Sequence, residues 1–215
     1  MSSDDETQSS ATESNPFAQL APAPQHLRDV AAGTLRRARS SFGDLERELS
    51  TSPEGEEMAR IRELVPAPAN GEDSDLVTKQ LDELWARVSG RNAYEQLLSL
   101  FIVNGIVRDA LVGFGELGEP PVDLGDELDW APWHDAIIET LKALFERDIH
   151  VDDRLAMWGR RIAGDAVVWA RQLAGIEPGK SADSLVEGAE AGAEKFAGVL
   201  LANHSRRMNA LKLAA

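Results

Sequence analysis

The sequence contains no cysteine, and this absence excludes several chemistries at once. Without thiols the chain cannot form a disulfide, use a thiolate nucleophile, or bind zinc or an iron-sulfur cluster through cysteine. Lysine is also scarce: only five of the 22 cationic side chains are lysines, so 17 are arginines. Arginine is less strongly hydrated than lysine and better shaped for fixed ion pairs with carboxylates.

Positive charge is scarce overall, because 37 Asp and Glu residues give the chain a formal net charge of −15. So many like charges repel one another strongly in dilute buffer. In molar salt the Debye length falls to about 3 Å, and most of this repulsion is screened. The charge balance therefore predicts an acidic, halophilic protein that works in a salt-rich interior.

No long hydrophobic run is present. The most apolar stretch, 97–112, is interrupted by Asn104, Arg108 and Asp109, whereas a membrane span needs about 20 mostly apolar residues. The first residues lack the basic start and apolar run of a secretory signal. We therefore expect a cytoplasmic protein that makes no contact with membranes.

The N-terminal third of the chain divides into three predicted segments. Residues 1–24 are rich in Ser, Thr, Asp, Glu, Ala and Pro, which predicts a disordered acidic tail. Residues 25–65 carry apolar side chains at three- and four-residue steps, which predicts a helical extension of two helices. Residues 66–73 contain two prolines and an Asn-Gly pair, and this composition predicts a linker.

Residues 74–215 have the apolar periodicity of helices throughout, and neither strand-like alternation nor a repeat of fixed period occurs. The helix that follows Asn92 is apolar on nearly all sides, as expected for a helix in the middle of a bundle. The sequence therefore predicts an all-α protein. Its predicted architecture is a bundle of about five helices, an N-terminal two-helix extension and the disordered tail.

Polar residues within apolar helices form a predicted interior polar network. Asn104, Arg108 and Asp109 interrupt the most apolar helix, and Asp165 lies on the apolar stripe of a later helix. A buried charge costs several kcal/mol unless it is paired. We therefore expect an ion pair between Arg108 and Asp165, or between Asp109 and Arg161. The alternative is that these residues form a ligand-binding or catalytic site.

A helical bundle with inward-facing carboxylates also raises a ferritin-like di-metal site, which uses Glu-x-x-His motifs. No such motif precedes any of the four histidines, and the acids available for an all-carboxylate site have other predicted roles: Glu95 as a cap, Glu190 and Glu194 on a solvated helix face, and Asp165 in the interior polar network. We therefore predict no metal, no cofactor and no catalytic residue. The histidines are His26, His134, His150 and His204, and the acids are Glu95, Asp165, Glu190 and Glu194.

Two groups of residues are candidates for binding a partner. The first is a basic cluster on the first helix, which could contact nucleic acid, an acidic protein, or the acidic body of this chain. The strong overall negative charge and the weakening of phosphate contacts by salt argue against nucleic acid. The second is a tryptophan pair beside a proline-containing loop, which edges a groove or belongs to the core. These groups are Arg28, Arg36, Arg37 and Arg39, and Trp130 and Trp133.

We therefore predict a non-catalytic helical interaction or assembly protein of a halophilic cytoplasm, with another protein or a second copy as its partner. One alternative is a ferritin-like di-metal carboxylate oxidoreductase that lacks the usual Glu-x-x-His ligands. Another is a nucleic-acid-associated regulator that uses the face from Arg28 to Arg39.

Overall fold

The computed structural model describes residues 15–68, 74–147, 150–176 and 186–213. These residues form seven α-helices and two short 3-10 helices, with no strand among them, so the predicted all-α fold is confirmed. The α-helices are α1 (Pro24–Glu48), α2 (Pro53–Leu64), α3 (Asp75–Val88), α4 (Ala93–Leu117), α5 (Ala131–Arg147), α6 (Val151–Leu173) and α7 (Ala189–Ala210). The 3-10 helices are Pro16–Leu20 and Gly125–Leu128.

Helix α4 is the centre of the fold, in contact with α1, α5, α6 and α7. The carboxamide of Asn92 caps its N-terminus, accepting hydrogen bonds from the backbone N–H groups of Tyr94 (3.1 Å) and Glu95 (3.0 Å). Among the described helices α4 alone is long and apolar enough to span a membrane, and 78% of that stretch is buried within the protein. Its hydrophobicity is thus accounted for by its position in the core.

Two tryptophans of α6 hold that helix against its neighbours. The indole N–H of Trp158 donates to the hydroxyl of Ser99 on α4 at 2.9 Å. The indole N–H of Trp169 donates to the carbonyl of Gln80 on α3, also at 2.9 Å. Each ring buries a large apolar surface while its single donor is satisfied, so these contacts set the positions of α3, α4 and α6.

The predicted two-helix extension packs into the same core as the bundle. Helix α1 contacts α2, α3 and α4, and α2 contacts α5. Leu27, Leu35 and Phe42 of α1 are no more than 1% exposed. The predicted linker falls between α2 and α3, and its residues 69–73 lie outside the described part of the chain. Helices α1 and α2 therefore share one continuous hydrophobic core with the bundle.

The predicted disordered tail needs a correction at its C-terminal end; its residues 1–14 lie outside the described residues. The chain from Asn15 forms a 3-10 helix, and Phe17 within it is 1% exposed. The ring of Phe17 packs against Phe114 and Phe196 at centroid distances of 6.2 and 5.5 Å. Gly192 makes room for it, because a Cβ there would lie 2.4 Å from the Cβ of Phe17. One aromatic anchor thus outweighs the polar composition around it.

Candidate functional site

A group of polar side chains lies where α4, α5 and α7 meet, and we call it the polar cluster. Its members are Asn104, Arg108 and Asp109 of α4, His134 of α5, and His204 and Arg207 of α7. The α4 members lie within five residue steps, which corresponds to about 7.5 Å along the helix axis. Asn104 and His204 are among the few buried polar residues of the described core.

Arg207 joins α7 to α4. One guanidinium nitrogen, Nη2, donates to the carboxylate of Asp109 and to the carbonyl of Gly105, the latter at 2.7 Å. The side chains of Arg207 and Asp109 are 14% and 9% exposed, so this ion pair is largely buried. Gly105 lets the guanidinium lie against the helix, because a Cβ at this position would be 2.2 Å from Nε of Arg207.

His134 lies beside this ion pair, with its ring held by aromatic neighbours. Its centroid is 4.2 Å from that of Trp133 and 5.5 Å from that of Phe101, both in edge-on arrangements. Burial, and then the positive charges of Arg207 and Arg108, lower the pKa of His134 to about 3. The imidazole is therefore neutral at pH 7.

His204 precedes Arg207 by one helical turn and is 5% exposed. Burial, and then the charge of Arg207, lower its pKa to about 4, so this imidazole is also neutral at pH 7. Two histidines and two arginines thus lie near one another, with the positive charge carried by the arginines alone.

Several polar atoms of this region are fully buried and have no hydrogen-bond partner within the described residues. Buried polar groups are hydrogen-bonded in most structures, so such a concentration requires an explanation. The atoms are Nδ2 and Oδ1 of Asn104, Nε2 of His134, Nδ1 of His204, Nη1 of Arg207 and Nε1 of the adjacent Trp133.

The predicted pairing of the interior polar residues needs correction, because neither expected ion pair forms within the described residues. Nε of Arg108 donates to the carbonyl of Leu128 at 2.8 Å, and its side chain is 41% exposed. Arg161 is exposed, donates to the carbonyl of Arg87 at 3.2 Å, and lies 4.7 Å from the ring centroid of Trp158. Asp165 is half-buried on α6.

Sequence reasoning identified Asn104 and Asp109 but missed Arg207, His134 and His204 as their neighbours. Arg207 was not among the candidate residues, and no metal-binding motif surrounds the histidines. The available signal was the spacing of His204 and Arg207, which places both on one face of a helix. That spacing alone does not indicate which helix they face.

The described part of the chain contains no set of metal ligands for the ferritin-like alternative. No three His, Asp or Glu side chains there come close enough to hold one metal ion. Of the acids considered from the sequence, Glu95 accepts hydrogen bonds from the backbone N–H (3.0 Å) and Nε (3.3 Å) of Arg91. Its carboxylate is thus engaged at the start of α4.

The basic cluster of α1 is largely engaged within the molecule. Arg37 forms an ion pair with Asp82 of α3. Arg39 donates to the carbonyl of Val65 at 2.6 Å and so caps the C-terminal end of α2. Arg36 also interacts within the molecule, and Arg28 is half-buried. This matches the interpretation in which the basic face contacts the body of the same chain.

The tryptophan pair belongs to the core, which was one of its two predicted positions, and this corrects its inclusion among the candidates for binding a partner. Trp130 and Trp133 are both 0% exposed. Their centroids are 5.8 Å apart, and Trp133 meets Phe42 of α1 edge-on at 6.0 Å. These rings therefore attach α5 to α1 and present no surface to a partner.

A different surface is open to a partner: the solvent-facing side of α7 between Lys195 and Ala210, which we call the outward face of α7. This range contains no carboxylate, and Lys195 and Arg206 are its exposed cations, because Arg207 is turned inward to Asp109. Val199 and Leu201 are 52% and 45% exposed and lie at the two opposite edges of this face, because residues two positions apart point about 200° apart around a helix. Gly198 between them has nothing within 4 Å of the place where a Cβ would stand.

Comparison with known proteins adds no family or relative to these observations. No family model matches the chain, and no curated protein matches it. The function is therefore inferred from the side chains and surfaces described above.

Proposed function

We propose that this protein is a non-catalytic assembly protein that binds a second copy of itself through the outward face of α7. The observation that carries this proposal is the exposure of Val199 and Leu201 on a carboxylate-free stretch of a chain with net charge −15. Acidic side chains outnumber basic ones in the chain as a whole, so a surface without acids is suited to contact with an acidic one.

The chain itself supplies a complementary surface. Residues 109–141 contain nine Asp and Glu residues and no Lys or Arg. Exposed carboxylates of this segment include Glu116, Glu119, Asp123, Asp126 and Asp129. Attraction between this segment of one copy and the outward face of α7 of another would orient the contact, and the half-exposed apolar side chains would stabilise it.

Gly198 supports close packing at this surface. A glycine inside a helix costs roughly 1 kcal/mol relative to alanine. Several other helical glycines have a reason within the molecule, such as the approach of Arg207 to Gly105 or of Phe17 to Gly192, whereas Gly164 of α6 is open in the same way as Gly198. No side chain of this copy occupies the space above Gly198, and a partner helix could approach it closely.

Sedimentation velocity in molar potassium chloride over a range of protein concentrations tests this proposal. We expect the wild type to form dimers or larger species, and Leu201→Glu to shift it towards the monomer. Leu76→Glu is the matched control, because Leu76 is similarly exposed, at 56%, but lies on α3. A wild type that stays monomeric throughout, or a control that acts as strongly as Leu201→Glu, would contradict self-association through α7.

The same preparation tests the two alternatives. Stoichiometric iron or manganese in the purified protein, measured by elemental analysis, would favour the ferritin-like oxidoreductase. Binding to nucleic acid in molar potassium chloride that is lost on replacing Arg28 and Arg36 would favour the regulator. We expect neither result. A halophilic cytoplasm as the working environment is part of this proposal, on the strength of the acidic composition.

A further inference from the structure

The unpartnered atoms of the polar cluster include more hydrogen-bond donors than acceptors. Nδ2 of Asn104, Nη1 of Arg207 and Nε1 of Trp133 can only donate. Oδ1 of Asn104 is the single atom that can only accept. Each unpartnered nitrogen of the two neutral histidines donates or accepts according to its tautomer. When Nε2 of His134 and Nδ1 of His204 carry the protons, five donors face one acceptor, and the cluster is short of acceptors.

The charges around these atoms are predominantly positive. Arg108 and Arg207 both act on His134 as positive charges. Asp109 is the acidic member of the polar cluster, and its carboxylate already accepts from Nη2 of Arg207. Nη1 of the same guanidinium has no partner in the described residues. Nearby donors together with positive charge form an environment that favours an anion over a neutral molecule.

Small size is required of any such anion. Asn104 is 0% exposed and His204 is 5% exposed. The aromatic rings of Phe101, Trp130 and Trp133 surround His134. An anion that contacts these buried atoms would therefore have to be small.

We propose that the polar cluster binds one small monovalent anion, chloride, between Nε2 of His134 and Nη1 of Arg207, with Nδ2 of Asn104 as a third donor. Chloride is the commonest small anion of a salt-rich interior, so a weak site would be filled there. Bound chloride would supply the missing acceptor and link α4, α5 and α7. This proposal does not depend on self-association through α7, but its choice of chloride rests on the salt-rich environment that is part of the proposed function.

The line width of the chloride-35 NMR signal in the presence of the full-length protein measures this binding. His134→Phe keeps an aromatic ring against Trp133 and removes the donor, and Asn104→Leu removes the amide at similar volume. We expect each change to weaken chloride binding about tenfold or more, as for a lost hydrogen bond to a charged group. Ser99→Ala is the matched control: it removes a buried hydroxyl of the same helix, the partner of Trp158, and should leave binding unchanged.

Crystals of the wild type grown in potassium bromide provide a second test that requires no variant. An anomalous bromide peak between His134 and Arg207 supports the proposal. A water molecule at this position, or bromide only at surface arginines, would overturn it. So would a line-width effect of equal size in the wild type and in both cluster variants that fold.

Discussion

Arg207 of α7 and Asp109 of α4 form an ion pair in which the two side chains are only 14% and 9% exposed. The pair fixes the C-terminal half of α7 against the central helix, and Gly105 provides the surface on which the guanidinium lies. Both side chains are largely removed from water, so the charge of each is compensated mainly by the charge of the other.

Replacing Asp109 by alanine should therefore destabilise the fold by about 3 to 5 kcal/mol, since the guanidinium of Arg207 is left buried without its partner. Chemical denaturation measures this loss, and adding Arg207→Met should recover much of it. Asp44→Ala is the control, because the side chains of Asp44 and Arg47 are 64% and 78% exposed. We expect the control to change stability by less than about 1 kcal/mol. Additive effects of the two cluster mutations would contradict the coupling.

Two glycine substitutions should change stability in opposite directions. Gly105→Ala places a Cβ 2.2 Å from Nε of Arg207 and should cost about 1 to 3 kcal/mol, because the guanidinium must move. Gly198→Ala meets nothing within 4 Å and should stabilise the monomeric fold by up to about 1 kcal/mol through helix propensity. Denaturation at low protein concentration compares the two. Equal effects would show that the space around these glycines is not as described.

Acid should weaken the fold over a defined pH range. The pKa values of about 3 for His134 and about 4 for His204 lie below the value of about 6.5 expected in the unfolded chain. Between these folded-state pKa values and about 6.5, the two histidines bind more protons in the unfolded chain than in the folded protein. The free energy of unfolding therefore falls as the pH falls from about 6.5 towards 4. The slope is at most about 1.4 kcal/mol per pH unit for each histidine.

The control for this pH effect is the double variant His134→Phe/His204→Leu, which should lose most of the dependence between pH 6.5 and 5. Glu54 adds a separate effect at lower pH. Hydrogen bonds from the Ser52 hydroxyl, from its own backbone and from Arg147 lower the pKa of Glu54 to about 2. The ionised Glu54 therefore stabilises the fold above about pH 4.5, and this stabilisation is lost as the pH falls towards 2. A pH-independent unfolding midpoint between 6.5 and 5 would contradict the burial of the two imidazoles.

Lowering the salt concentration should destabilise the protein, because the repulsion expected from a net charge of −15 is then unscreened. Thermal melts in molar and in tens-of-millimolar potassium chloride should show a lower midpoint in the dilute salt. Potassium glutamate in place of chloride separates general screening from chloride binding, since screening does not distinguish the two anions at equal ionic strength. An unchanged midpoint in low salt would remove the support for a halophilic protein.

Phe17→Ala should destabilise the fold by about 3 to 5 kcal/mol, as expected for an aromatic side chain removed from a core. This residue is 1% exposed and contacts Phe114 and Phe196. Gln19→Ala, an exposed position of the same 3-10 helix, serves as the control and should be nearly neutral. Equal stability of Phe17→Ala and the wild type in urea denaturation would restore the prediction of a tail that is disordered up to residue 24.

Sequence periodicity alone was sufficient to predict the helical fold and the central position of α4. A helix is stabilised by contacts between residues three and four positions apart, so its existence and its apolar face can be seen in a local stretch. The capping of α4 by Asn92 was predictable for the same reason, because both hydrogen bonds are local. Phe17 was not predictable in this way, since the residues that bury it lie about 100 and 180 positions further along the chain.

The sequence by itself therefore determined the helices, the acidic surface and the presence of polar residues within an apolar helix. Only the tertiary structure decided which of those polar residues meet. Asp109 pairs with Arg207 of α7, and Arg108 turns instead to the carbonyl of Leu128. The physical reason is that such pairings depend on the rotation and relative height of whole helices. These are set by the packing of large apolar side chains throughout the core, and no short segment specifies them.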